Sequence, residues 1–210
     1  MKNKVYIILM ILLCISSLSY AQKLYVGSYN VRYDNEKDIE KDHSWKDRCP
    51  IICGQILFHD FEIFGAQEVL ANQLGDMLAA LPGYDYVGVG RDDGKEKGEY
   101  APIFYKKERF DLLQSGTFWL SETTDHPNVG WDAAYPRICS WGQFLDKESN
   151  KKIWFFNLHM DHKGKKARSE SSKLALSKIK EMTESDYAIL TGDFNVDQHN
   201  ESYPLIAQSD

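Results

Sequence analysis

Four short segments carry polar residues of the kinds that hold hard cations and phosphates. They are Ser28-Tyr29-Asn30-Val31-Arg32, Gly65-Ala66-Gln67-Glu68-Val69, Asn157-Leu158-His159-Met160-Asp161-His162 and Gly192-Asp193-Phe194-Asn195. In each, an apolar stretch stops, and a carboxylate, carboxamide or imidazole stands where the backbone would leave a sheet. Ligands collect at such strand ends. Carboxylate and amide oxygens suit Mg²⁺ or Mn²⁺, which keep several waters and need only one or two protein carboxylates. Such an ion polarises a phosphoryl oxygen and steadies the leaving oxygen. A separate carboxylate can orient or deprotonate the attacking water, and a histidine can stabilise charge on the phosphate. Each segment alone has a plainer explanation. Gly-Asp-Phe-Asn is a good turn sequence. A Glu after a strand is usually solvated or caps a helix, and a lone His is usually structural. Spacing by itself reaches no further than a metal-dependent hydrolase.

The elements that must carry these segments mix strands with helices. Residues 24–31 read as a strand with Leu24, Val26, Ser28 and Asn30 on one face. Trp45, Cys49, Ile52 and Ile56 fall at helical spacing, with Pro50 expected near the helix start. Residues 61–67 make a short strand. Leu70, Leu74, Met77, Leu78 and Leu81 form a helical stripe stopped by Pro82-Gly83. Strands follow at 84–90, 102–106, 110–120, 137–146 and 152–161. In the last of these, Trp154, Phe156, Leu158 and Met160 point one way, and Phe155, Asn157, His159 and Asp161 the other. Ala175, Ile179 and Met182 mark a helix over about 167–184, and 187–190 reads as a buried strand. The order of elements predicts a layered α/β sandwich with mixed sheets covered by helices, rather than a barrel of alternating units.

The chain has 210 residues, 43% of them apolar, and a formal charge of −6. That suits one domain with a proper core and excludes a mainly disordered chain. The negative balance works against tight non-specific nucleic-acid binding. At the N-terminus, Lys2 and Lys4 precede an apolar run over 5–15, and Ser19-Tyr20-Ala21 supplies small residues at a cleavage position. This is the pattern of a secretory signal peptide over 1–21, removed after Ala21, and it predicts a periplasmic or secreted protein. The run is too short to span a bilayer of ~30 Å, which needs roughly 20 apolar residues. Cys49, Cys53 and Cys139 read as small buried residues, because no zinc ligands stand at suitable spacing nearby. The basic stretch 163–168 reads as a solvated loop and helix start in preference to a phosphate-binding rim. Trp119, Trp131, Trp141 and Trp154 are assigned mainly to packing.

The ordered set SYNVR, GAQEV, NLHMDH and GDFN resembles the endonuclease/exonuclease/phosphatase superfamily. PGYDYVGVGRDDG, PIFYKKERFDLLQSGTFWLSE and PRICSW resemble a secreted bacterial branch of it, nearest the deadenylase-like members. The likeness covers nearly all of 24–200 and says little about substrate. It implies a four-layer α/β sandwich with two mixed sheets packed face to face and helices outside. It also implies a phosphoesterase dependent on Mg²⁺ or Mn²⁺. Residue by residue, it makes Glu68 the principal metal ligand and Asn30 a support for metal and phosphate. His159 becomes a contact to the scissile phosphate, Asp193 the residue that positions or activates water, and Asn195 a hydrogen-bond partner of the phosphate. Arg137 is a candidate phosphate contact, and Asp92 and Tyr100 lie in loops that would select substrate. The substrate could be a nucleic acid, a nucleotide, a phospholipid headgroup or a sugar phosphate, and the protein is taken to act as a monomer without a stable membrane span.

One departure matters. The family closes its site with a later Ser-Asp-His, whereas Ser209-Asp210 has no following His and stands too close to Asn195 to match it. The domain over 22–210 is therefore expected to be incomplete at its C-terminus, lacking the last strands. Two rival readings stay open on the sequence. One is a catalytically inactive fragment or phosphate-binding protein of the same fold. The other is a carbohydrate-binding sandwich built on aromatic platforms.

Overall fold

The computed structural model describes residues 23–207 apart from 42, 185 and 201. The expected signal peptide over 1–21 lies outside the described residues. The first sheet has the order β1-β2-β4-β3, formed by Val26–Asn30, Ile63–Gln67, Ile103–Lys106 and Tyr84–Val87 respectively. The second runs β5-β6-β7-β8, formed by Phe110–Trp119, Ile138–Asp146, Lys151–His159 and Tyr187–Asp193. Both are mixed: β1–β2 and β7–β8 are parallel and the other pairs antiparallel. The helices are α1 (Glu36–Ile39), α2 (Trp45–Phe58), α3 (Ala71–Ala80), α4 (Lys165–Thr183) and α5 (Tyr203–Ala207). No helix among the described residues is long and apolar enough to cross a membrane.

Side-chain alternation builds the layers. Odd positions of β2 and even positions of β1 face the second sheet. The other faces carry Phe64, Ala66 and Phe104, which join Trp45, Ile52 and Ile56 of α2 and Leu74 and Met77 of α3 in an outer core. Phe64 stacks on Phe104 with ring centroids 5.0 Å apart. On the far side, Trp154, Phe156, Leu158 and Met160 pack against Ala175 and its α4 neighbours. Between the sheets lie Ile63, Ile103, Phe144, Ile153 and Phe155, with Leu24, Val26 and Ile189 partly buried against them. The result is the expected four-layer α/β sandwich.

The strand register arranges that middle layer in rows. Val26 pairs with Ile63, and Phe155 with Ile189, so one row is apolar. Next, Ser28 pairs with Gly65, and Asn157 with Thr191, which makes a polar row. The last row sets Asn30 beside Gln67 and His159 beside Asp193. Asn157, fully buried, satisfies the polar row. Its Nδ2 donates to the carbonyls of Ala66 (2.7 Å) and Pro102 (2.9 Å). Its Oδ1 accepts from Gln67 Nε2 (2.7 Å) and Thr191 Oγ1 (3.1 Å). Gly65 is obligatory here, because a Cβ would overlap the Asn157 amide and the Thr191 hydroxyl.

Three expectations are corrected. Residues 187–190 do not form a buried strand: Tyr187 is 63% exposed, and β8 stands at the edge of its sheet with its first four residues exposed or half-buried. Apolar composition over four residues cannot separate an edge strand from a central one. The strand expected over 84–90 stops at Val87, where Gly88 turns the chain with φ of 135°. Pro50 lies in the second turn of α2, because Ser44 caps the helix ahead of Trp45. Cys49 and Cys53 are free thiols with sulfurs 4.0 Å apart, Cys53 buried in the outer core.

Candidate active site

The C-terminal ends of β1, β2, β7 and β8 meet at one edge of the sandwich. Asn30 is the link between the sheets. Its Nδ2 donates to Glu68 Oε1 and to Asp193 Oδ2, each at 2.9 Å. Its Oδ1 accepts from the Arg32 N–H at 2.9 Å, which fixes the orientation of the amide. Strand alternation would turn Glu68 away from Gln67's face. Instead Glu68 has φ of 62°, and this left-handed turn brings its carboxylate back to the edge, where Oε2 accepts from the Tyr33 N–H at 3.2 Å. Arg32 and Asn195, with φ of 59° and 50°, turn the other two segments in the same way. Non-glycine residues rarely adopt this conformation, and such strain gathers at functional sites.

Glu68, His159 and Asp193 each place a ligand atom within 4.8 Å of the other two, a candidate cation site among the described residues. The donor set fits a hard divalent ion: two carboxylates share one amide, and among the described residues no cation pairs with either at hydrogen-bond distance. Asn30 was expected to support the metal as well. In the structure its nitrogen faces both carboxylates and its oxygen faces a backbone N–H, so it positions ligands. Asp193 Oδ1 also accepts from the Asn195 N–H (3.0 Å), and Asn195 Nδ2 donates to the Met160 carbonyl (2.9 Å).

His159 is buried with its Nε2 3.9 Å from Asp193 and its Nδ1 3.6 Å from Glu99 Oε2. The second distance is too long for a hydrogen bond; it is an ionic contact when the ring is protonated. Glu99 is held by Arg91 Nη1 at 2.7 Å. Burial pushes the Glu99 carboxyl up, but His159, Arg91 and Arg137 outweigh it and leave it below the usual range. Arg137 Nε donates to Asp161 Oδ2 at 3.3 Å, and its Nη2 lies 3.1 Å from His162 Nδ1. An open cleft of about 510 Å³ is lined by Glu68, His159 and Asn195 together with Arg91, Arg137 and His162.

The eight residues singled out in the sequence thus divide. Asn30, Glu68, His159, Asp193 and Asn195 form one cluster, and Arg137 lines the same cleft. Tyr100 is buried in the outer core, and its N–H bonds the Val69 carbonyl at 2.7 Å. Asp92 is half-exposed and 3.8 Å from Arg91 Nε. Their chain neighbours Arg91 and Glu99 line the open cleft, and Tyr100 shares with them, Arg137 and His159 the wall of a small adjoining cavity. The loop between them is closed by backbone bonds, Arg91 N–H to Glu99 and Asp92 N–H to Lys97, which turn alternate side chains inward. Sequence reasoning missed both residues, since an Arg and a Glu in a loop of mixed charge carry no periodic signal.

No family model matches the chain. Among solved structures, it resembles a mannosyl-6-phosphatase of Bacteroides thetaiotaomicron, at 54% identity and a TM-score of 0.87, over 89% of this chain and 70% of that one. An endonuclease/exonuclease/phosphatase of Bacteroides vulgatus is 44% identical with a TM-score of 0.84, over 87% and 70% of the two chains. The chain belongs to the endonuclease/exonuclease/phosphatase family. The fold is shared more widely: the human nocturnin catalytic domain matches with a TM-score of 0.70 at 19% identity. A curated relative, an uncharacterized protein of Acanthamoeba polyphaga mimivirus, is 30% identical over 162 residues. The chain spans 60% of that protein's length.

Proposed function

We propose that this family member is a metal-dependent phosphoesterase whose substrate is a small phosphorylated molecule, a sugar phosphate in the first instance. The observation that carries the reading is the assembly of Glu68, Asp193 and His159 around the Asn30 amide. The likeness to the mannosyl-6-phosphatase favours a sugar phosphate over a nucleic acid, and the negative net charge leans the same way. Export is part of the proposal and rests on the sequence of residues 1–21 alone.

Glu68 would hold the ion, with Asp193 and His159 completing its surroundings. Bound there, a divalent cation would polarise the phosphoryl group. Asp193, partly exposed beside the cluster, is placed to orient a water and accept its proton. The water oxygen forms the new bond to phosphorus, the bond from phosphorus to the alcohol oxygen breaks, the leaving oxygen takes a proton from solvent water, and Asp193 returns its own proton to solvent. His159, backed by Glu99, stabilises charge on the phosphoryl oxygens.

Release of phosphate from mannose 6-phosphate, followed with Mg²⁺ or Mn²⁺ and with excess EDTA, tests the proposal. Turnover should vanish with EDTA, and Glu68→Gln should lower kcat/KM by about 10³-fold while the protein stays folded, because members of a catalytic unit act together. Metal-independent turnover, or no turnover across a panel of phosphoesters, would overturn it.

A further inference from the structure

Two buried guanidiniums in the cleft have hydrogen-bonding capacity that the protein does not use. Arg91 and Arg137 are 9% and 4% exposed, and both line the cleft with His159. Among the described residues, Arg91 Nε and Arg137 Nη1 have no hydrogen-bond partner, and neither has His159 Nδ1. The same three side chains line a small cavity of about 10 Å³, room for about one oxygen atom. Glu99 is its acidic member, already engaged by Arg91 at 2.7 Å.

The counter-charge on Arg137 is also incomplete. Its partner Asp161 accepts from the N–H groups of Gly164 (2.8 Å), Lys163 (2.9 Å) and Ala134 (3.0 Å), so that carboxylate is largely committed to the backbone. Burial and the neighbouring Arg91 charge hold the Arg137 guanidinium below its usual pKa, despite Asp161 and Glu99. Two cations buried side by side, with donors to spare beside a phosphoryl-binding histidine, make a receptor for an anion's oxygens.

We propose that Arg91 and Arg137 bind the non-reacting oxygens of a terminal phosphate, and that this pair makes the cleft select phosphomonoesters over phosphodiesters. The inference rests on the phosphoesterase reading and refines it. A monoester carries close to two negative charges at neutral pH and three non-bridging oxygens. A diester carries one charge and two such oxygens, and its second ester group would put a weak acceptor and extra bulk against the guanidiniums. A site built to donate hydrogen bonds discriminates against a ligand that leaves its donors unpaired.

The test compares p-nitrophenyl phosphate with bis(p-nitrophenyl) phosphate, in the presence of Mg²⁺, for the natural protein and for Arg91→Gln and Arg137→Gln. The natural protein should favour the monoester. Each variant should lose about 30-fold in kcat/KM on the monoester, as expected for a charge-assisted hydrogen bond, and under about 3-fold on the diester. Equal losses on both substrates, or a natural preference for the diester, would overturn the inference and leave the phosphoesterase reading standing. Should a Gln variant fail to fold, Arg91→Lys and Arg137→Lys keep the charge, lose the planar fork and should show the same selective loss in smaller measure. Calorimetry with inorganic phosphate and dimethyl phosphate decides the matter without turnover. Phosphate should bind more tightly than dimethyl phosphate, and the gap should close in the variants. An unchanged gap would overturn the inference. If neither ester is hydrolysed, the phosphoesterase reading fails, and the calorimetric result still judges the guanidinium pair.

Discussion

Glu99 reaches the candidate cation cluster through His159 alone among its three members. A half-buried carboxylate 3.6 Å from Nδ1 helps to fix the orientation of the imidazole, and its own place is set by Arg91. Replacing it with Gln keeps the shape and removes the charge. Glu99→Gln should therefore lower kcat by about 10- to 100-fold, the usual range for an outer partner that orients an active-site histidine, with KM changed far less. A purely structural role would instead lower the melting temperature and leave kcat per folded molecule unchanged. Melting temperature and kcat per folded molecule, measured for Glu99→Gln beside the natural protein, separate the two: only the positioning role lowers kcat in protein that melts normally. The strongest signals in the sequence concern residues at strand ends, where an apolar run stops abruptly. Glu99 and Arg91 stand in a loop whose fold is set by Asp93, whose Oδ1 accepts from the Lys95 and Lys97 N–H groups. A shift of one residue there exchanges Arg91, which lines the cleft, for the exposed Asp92, whereas Tyr100 lies in the wall of the small cavity beside Glu99.

At the scale of elements, the parallel strand pairs are what turn a sequence pattern into a site. Because β1 runs beside β2 and β7 beside β8 in fixed register, the polar residues that end each strand arrive at one edge together. The alternation in 24–31 and in 152–161 makes this legible in advance: the face with Asn30 and the face with His159 are the faces that meet. The polar row beneath the site was not legible, since Asn157, Gln67 and Thr191 come from separate strands and their network exists only after the sheets pack. Asn157→Ala should cost about 3–4 kcal/mol. The change removes hydrogen bonds worth about 1 kcal/mol each and strands buried partners. Chemical denaturation measures the loss. Because Gln67 then loses its anchor directly below Asn30, phosphoester turnover of the folded fraction should fall as well. A stability loss under about 1 kcal/mol would show that water replaces the amide. The exposure of β8 was not legible in its own residues: whether a strand has one neighbour or two is a property of the sheet, and among the described residues β8 has one.

For the molecule as a whole, the two sheets are joined at the end remote from the candidate site by ions, not by apolar contact alone. Arg109, 5% exposed, pairs with Glu62 just ahead of β2 and with Asp146 at the end of β6, at 3.2 Å from Nε to Oδ1. Glu62 also accepts from the Tyr25 N–H at 2.9 Å, so three chain segments converge on one guanidinium. Burial alone would push the Asp146 carboxyl up, yet Arg109, Ser149 and the Glu148 N–H hold it below the usual range. Asp161 behaves likewise: burial is outweighed by the N–H groups of Gly164, Lys163 and Ala134, which bring it to about 2. A carboxylate whose pKa is lower folded than unfolded binds fewer protons in the native state. Its stabilisation is fully present above the unfolded value of about 3.9 and disappears as pH falls through the folded value. The urea midpoint of the natural protein should thus hold near neutrality and drop between about pH 4 and pH 2. Asp146→Asn should start lower at pH 7, and the gap should narrow as acid protonates Asp146 in the natural protein. Arg109→Met tests the other side of the pair. It strands Asp146 and Glu62 together and should cost about 3–5 kcal/mol at pH 7, with the penalty easing in acid as Asp146 is neutralised. Parallel stability curves for the natural protein and Asp146→Asn across this window would show that the two sheets are held without the ions.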